Sequence, residues 1–459
     1  MVREMTAGSP GKLILSFSLP LLVGNLFQQL YNMADAMVVG RTIGSDALAA
    51  VGSTGAISFL ILGFVMGLTG GFSVVVAQRF GAGDADGVRQ AVTMSVYLSV
   101  LLTAAVTALS VPLTRPLLLL MDTPSDIIGD AYAYIVVIFA GTGASVFYNL
   151  LSGVLRALGD SKTPLYFLIL SSVVNVILDL VFILCFSMGV AGAAWATVLA
   201  QVISGLLCLI YMARRFPILR LKRTDWRLRK ELCLLHLKLG LPMALQFSIT
   251  AVGVMVLQKA INAFGSATVA AYTAASKVEQ LTTQPLLTLG VTMATYCGQN
   301  LGAGKIRRIR EGIVRSLQIC AVCCLLCILV VFFGGAFLVG LFLKDITPQA
   351  MEQAMQYLRT IALFFPFLGA LFIFRHGLQG MGSTFMPMLA GGMELVMRTV
   401  IAFFLPGLIG YTAICIASPV AWIGACVPLL LCYFLLMRRL KWRLRAQPPD
   451  GEEAPPASA

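Results

Sequence analysis

Charge is scarce in this chain: Asp, Glu, Lys and Arg make up 12% of its 459 residues, about half the share usual for a soluble domain. Acids are the scarcer sign, 20 against 33 basic residues, and histidine occurs only twice, at His236 and His376. A soluble enzyme or a disordered protein would carry far more charge. The 11 cysteines lie almost entirely inside apolar runs, where Cys serves as a small hydrophobe, so a secreted disulfide scaffold is excluded too. Cys320, Cys323, Cys324 and Cys327 have metal-ligand spacing but share one helix face, which cannot surround a zinc ion. A nucleotide-hydrolysing motif is missing as well. Gly298 to Lys305 (GQNLGAGK) misses the phosphate-loop spacing, and Ile306 stands where Ser or Thr is required. Neither an enzyme, a nucleotide partner nor a resident cofactor is expected.

What the chain does have is apolar length. Hydrophobic residues make up 59% and mean hydropathy is +0.90. Runs of about 20 apolar residues recur, the length that crosses roughly 30 Å of hydrocarbon as a helix. They are unbroken, unlike the alternating ten-residue segments of a membrane barrel. Twelve spans are read at 13–39, 47–77, 89–112, 128–155, 164–186, 191–213, 233–262, 268–298, 312–343, 354–379, 386–407 and 411–437. The first is too long for the apolar core of a signal peptide and is expected to remain as a helix. The net charge of +13 is placed as loops place it: eight basic residues lie between Arg214 and Lys230, five between Lys305 and Arg315, and five between Arg438 and Arg445. The opposite links hold Arg41, Arg115 and Lys344 and little else basic. Nucleic acid is therefore not the expected partner. The positive-inside rule puts both termini in the cytoplasm of a cell-membrane protein. Residues 446–459, rich in Pro, Ala and acid, read as a disordered tail.

The sequence repeats itself. Gly44-Ser45 and Ala49-Ala50 recur as Gly265-Ser266 and Ala270-Ala271, and Gln78-x-x-Gly81-Ala82-Gly83 recurs as Gln299-x-x-Gly302-Ala303-Gly304. Leu19-Pro20 matches Leu241-Pro242, and Gly159 with Pro164 matches Gly382 with Pro387. The expected fold is an all-α membrane protein of twelve transmembrane helices in two six-helix lobes. The amino-terminal lobe spans 1–213, a basic cytoplasmic linker 214–232, the carboxyl-terminal lobe 233–437 and a cytoplasmic tail 438–459. Six is even, so the lobes face the same way, related by a pseudo-two-fold along the membrane normal. Such repeats typify transporters, whose substrate site lies where the halves meet.

Ionisable residues inside spans are costly in a bilayer and point to function. Asp35 ends a polar stripe of Asn25, Gln28 and Asn32 on one helix face. Asp179 follows Asn175 by one turn, and an amide with a carboxylate at that spacing offers oxygens to a small cation or a proton. Asn149 and Thr197 offer further oxygens, although polar membrane side chains also simply bond neighbouring helices. Under the repeat Asn175 maps to Arg398, Ser171 to Glu394, and no acid matches Asp35. Glu394 and Arg398 stand at i, i+4 and are expected to neutralise each other. Glu279 and Gln284 lie in a polar patch, SKVEQLTTQP, that can open onto a cavity. With Gln28 and Asn32 they are the substrate-cavity candidates.

These motifs resemble the multidrug and toxic compound extrusion (MATE) family, over about residues 10 to 440. The resemblance rests on LPLLVGNLFQQLYNMADAMVVGRTIGSDALAAVG, the paired QRFGAGD and GQNLGAGK loops, and LRALGDSKTP followed by NVILDLVFI. It implies a secondary active antiporter that exports organic cations and drugs by alternating access, in exchange for Na⁺ or H⁺. It implies a coupling-cation site, and the Na⁺ ligands if Na⁺ is the ion, at Asp35, Asn175, Asp179 and Thr197. Asn149 matches a further polar residue, Ala193 a backbone oxygen, and Pro20 a proline that lets the first helix bend. A monomer is expected. Relatives with acids in the carboxyl-terminal lobe have only Glu279 as a counterpart here. The alternative within the same superfamily is a lipid-linked oligosaccharide flippase, which would need cavity cations such as Lys259, Lys277 and Arg398 to hold pyrophosphate.

Overall fold

The computed structural model describes residues 4–342 and 347–446. The link holding Lys344 and the acidic tail from 447 onward lie outside the described residues. The first half runs α1 (Pro10–Thr42), α2 (Ser45–Ser53), α3 (Gly55–Gly81), α4 (Ala85–Leu120), α5 (Ile128–Ala140), α6 (Thr142–Ala157), α7 (Lys162–Leu180) and α8 (Gly189–Arg215). The second half runs α9 (Lys230–Asn262), α10 (Ser266–Gly302), α11 (Ile306–Phe342), α12 (Pro348–Leu363), α13 (Phe365–Gly380), α14 (Phe385–Phe404), α15 (Pro406–Ile409) and α16 (Thr412–Ala446). Among the described residues there is no strand, as a membrane interior demands when backbone groups must be satisfied locally.

The twelve spans are present, with breaks that a hydropathy reading smooths over. Among the described residues, nine helices are long and apolar enough to cross a bilayer. Two more spans are bent pairs: α5 and α6 meet at 47° around Gly141, and α12 and α13 at 52° around Phe364. The twelfth is α10, as long as α11 but diluted by its polar patch. The expected span 47–77 is interrupted at Thr54, between α2 and α3, and the span 164–186 ends in a π-helical turn, Val181–Cys185. The lipid-facing belt shows in side chains such as Phe333, Phe404 and Leu408, all more than 70% exposed.

The paired Gln-x-x-Gly-Ala-Gly loops explain themselves once folded. Gly81 packs on the Gln299 backbone, and Gly302 on the Gln78 backbone, so a Cβ at either would collide with a carbonyl. The two motifs cross at the pseudo-two-fold axis. Gly83 and Gly304, with φ of +71° and +69°, turn the chain out of α3 and α10 in the same way, a conformation that glycine adopts without strain. Farther along, Gly67 and Gly71 of α3 admit the backbone of α9 at Met243 and Gly240.

The same end of the molecule is tied by hydrogen bonds between lobes. Gln78 Nε2 donates to the Gly380 carbonyl (2.9 Å) and Gln299 Nε2 to the Ala157 carbonyl (2.8 Å). Gln299 Oε1 also accepts from the Met5 amide (2.8 Å), holding the amino-terminal segment in the seam. The basic linker is anchored here too: Asp225 is buried against Arg89 (3.1 Å), while its carbonyl accepts from Thr93 (2.8 Å). Among the described residues, every hydrogen bond between the lobes lies at this basic end or at Asn25–Thr288 (3.1 Å). Beyond that level Gln28 and Asn32 of α1 and Lys277 of α10 are exposed. The lobes therefore part toward the end away from the basic loops, leaving a cleft.

Candidate functional site

α1 carries its polar residues on the face turned to the cleft and to α7. Asn25 bonds α10, Gln28 and Asn32 face the opening, and Asp35, on the α7 side of that stripe, is buried. α7 presents Asn175 and Asp179 one turn apart, both fully buried. The Asp35 and Asp179 carboxyl groups lie side by side. Asn175 Nδ2 donates to Thr197 Oγ1 of α8 (3.3 Å), and the Tyr31 hydroxyl shares that oxygen at 3.3 Å. Tyr134 of α5 closes the pocket beside both acids.

The polar accounting here is one-sided. Asp35 Oδ1, Asn175 Oδ1 and both oxygens of Asp179 are buried and lack a hydrogen-bond partner. All four are acceptors, and no Lys or Arg pairs with either acid among the described residues. Two like charges 4 Å apart repel by about 4 kcal/mol at an effective dielectric of 20. Such a pocket is stable only when a cation or a proton joins it.

Four of the six expected coupling residues thus converge: Asp35, Asn175, Asp179 and Thr197. Asn149 spends its amide on the Ser145 carbonyl of its own helix (2.8 Å). Ala193 is buried on α8, packed with Val39, Ala47, Ile183 and Val190 beneath Tyr134. Pro20 lies inside α1, where its missing N–H frees the Ser16 carbonyl and weakens the helix locally. Sequence reasoning missed Tyr31 and Tyr134. Tyr31 stands four residues before Asp35, a spacing that signals a shared face; Tyr134, in an apolar run, gives no such signal.

The carboxyl-terminal lobe corrects one expectation. Glu394 does not pair with Arg398. It accepts instead from Arg375 of α13 (2.7 Å), both side chains being buried. Arg398, one turn farther along α14, reaches instead toward α9, where a Cβ on Gly253 would lie 2.9 Å from its Nη1. Its charge neighbour is Glu279, which accepts from the Tyr357 hydroxyl (2.7 Å). Gln284 is buried with Oε1 unpartnered. Lys277 shares its α10 face with Gln284 and Thr288 and so faces α1 across the cleft. Lys259 continues the exposed apolar stripe of Leu241, Leu245 and Val252 on α9, the lipid side.

The sequence and the fold have counterparts among known proteins. The MatE family model matches twice, over residues 20–181 and 242–404, starting at Pro20 and again at Pro242. The probable multidrug resistance protein YpnP of Bacillus subtilis (strain 168) is 31% identical over 384 residues, 83% of this chain and 84% of that protein. The probable multidrug resistance protein NorM of Thermotoga maritima is 26% identical over 455 residues, 95% of this chain and 94% of its own. In three dimensions the chain is similar to a solved outward-facing multidrug resistance MATE transporter, with a TM-score of 0.89, 25% identity and coverage of 95% of this chain and 98% of the other.

Proposed function

The chain belongs to the MatE family of multi-pass membrane transporters, and from that premise and the acid pocket we propose that it exports organic cations in exchange for Na⁺ or H⁺ bound at Asp35 and Asp179. The observation that carries this is the set of four convergent buried acceptors without a donor. A cation or proton in the pocket removes the repulsion between the acids. That favours one arrangement of α1 against α7, and an ion shifts a conformational equilibrium only by such differential binding. Empty, the pocket leaves negative charge beside the cleft. In a low-dielectric cavity this attracts a lipophilic cation and repels an anion. Pro20 supplies the soft point at which α1 bends between these arrangements.

Direction follows from charge placement. The end closed by Gln78, Gln299 and the crossing glycine loops is the basic end, which the positive-inside rule assigns to the cytoplasm. The cleft then opens outward, the state in which substrate leaves and the coupling ion enters.

The flippase reading loses its supports. Lys259 lies on the lipid side and Arg398 beside Glu279, so Lys277 alone faces the cleft, too little for a pyrophosphate. Growth protection of a pump-deficient host separates the two readings. Cells expressing the protein should survive ethidium and tetraphenylphosphonium but gain nothing against an anionic dye of similar size, and Asp35→Asn should remove the protection. Protection against the anion alone would contradict the proposal.

A further inference from the structure

The internal repeat, laid on the structure, pairs the acid pocket with a second pocket of opposite sign. α5–α6 and α12–α13 correspond at an offset that sets Tyr134 opposite Tyr357. The same offset between α7 and α14 sets Asn175 opposite Arg398 and Asp179 opposite Ala402. Through the Ala-Thr and Ala-Ser pairs of α8 and α16, Thr197 falls opposite Ser418. Asp35 falls on the aliphatic Val256–Leu257 step of α9. In the carboxyl-terminal lobe Tyr357 and Arg398 both approach one acid, Glu279, as Tyr134 and Asn175 both border the acid pair in the other. Tyr272 stands beside that acid, the rings of Tyr272 and Tyr357 being edge-on at 4.9 Å.

The contents differ in a consistent way. The amino-terminal pocket has two acids and no cation, and its unsatisfied atoms are acceptors. Its counterpart has one acid and a guanidinium, and the unpartnered atoms there are Arg398 Nε and the Tyr411 hydroxyl. Gly253 makes the exchange possible: its repeat partner in α1 falls at Tyr31–Asn32, and where α1 has side chains the guanidinium of Arg398 occupies the space.

We propose that Arg398 is a tethered cation: it fills the carboxyl-terminal lobe's counterpart of the ion pocket, so that Glu279 binds no exchangeable cation and each molecule carries one coupling site. Glu279 keeps its hydrogen bond from Tyr357, and the nearby guanidinium offsets its charge through space by one that cannot leave. The lobe is thereby held in one electrostatic state through the cycle while the other lobe alternates. This rests on the reading of Asp35 and Asp179 as the exchangeable site, and the test treats the two separately.

Cation-induced infrared difference spectra of the purified full chain in nanodiscs report each buried carboxyl that changes partner. Spectra are taken on adding Na⁺ at fixed pH and on stepping pH in Na⁺-free buffer. The wild type should show bands that vanish in Asp35→Asn/Asp179→Asn, and Glu279→Gln should leave the spectrum unchanged. Arg398→Asn, which recreates the amino-terminal residue, should add one carboxyl band, lost again in Arg398→Asn/Glu279→Gln and absent in Arg398→Lys. A wild-type band lost in Glu279→Gln would overturn the proposal, and so would an Arg398→Asn spectrum without a new band. The Glu279→Gln comparison decides even if Arg398→Asn fails to fold. In Asp35→Asn/Asp179→Asn/Arg398→Asn the Glu279 band should persist. Absence of the aspartate bands in the wild type would count against the amino-terminal site alone.

Discussion

Asp35 and Asp179 were legible in the sequence because a carboxyl in mid-membrane is expensive enough to need a reason, and neither has a basic residue one turn away. The same logic misread Glu394. Its i, i+4 neighbour Arg398 satisfied the arithmetic of one helix, while the real partner, Arg375, comes from α13 and is visible only in three dimensions. The correction is testable. Glu394→Gln leaves a buried guanidinium without its counter-charge, and breaking such a pair costs about 3–5 kcal/mol, read as a lower unfolding temperature in detergent. Adding Arg375→Met should recover part of that loss, because both buried charges are then gone. Recovery with Arg398→Met in its place would contradict the observed pairing. Tyr134 shows the other limit of sequence reading, since nothing in an apolar helix says which residue will lean over a site built on three other helices.

At the level of elements, apolar length located the spans but not their breaks. Gly141 and the Phe365-Pro366 step mark the two bent pairs, yet a bend angle depends on what each half packs against. α10 is the reverse case, diluted by polar residues and recognisable mainly because its ends repeat those of α2 and α3. The crossing loops yield a sharper expectation. Gly302→Ala places a methyl group against the Gln78 carbonyl and should loosen the closed end. Labels on the basic ends of α3 and α10 should show a longer and broader distance distribution by electron–electron resonance. An unchanged distribution would mean that this contact does not hold the seam. Pro20→Ala restores the missing N–H and stiffens α1. It should slow gradient-driven export several-fold while leaving cation binding at Asp179 intact, as measured by parallel flux and binding assays.

For the whole molecule the two lobes share a chain plan but not a chemistry, with two acids lacking a cation on one side and an acid near a guanidinium on the other. The plan was readable from the repeat, and the division of labour only partly, through the replacement of Asn175 by Arg398. Its orientation can be checked with single cysteines in a Cys-less background. One at the exposed linker residue Arg223 should label only from the cytoplasmic side, and one at Asp126, between α4 and α5, only from outside. The central claim is the coupling of export to a cation at the acid pair. Its most direct test is ethidium accumulation by proteoliposomes under separately imposed Na⁺ and pH gradients. The wild type should concentrate ethidium under one of these gradients, and Asp179→Asn, folded and able to bind ethidium, should not. Equal accumulation by Asp179→Asn would contradict the account.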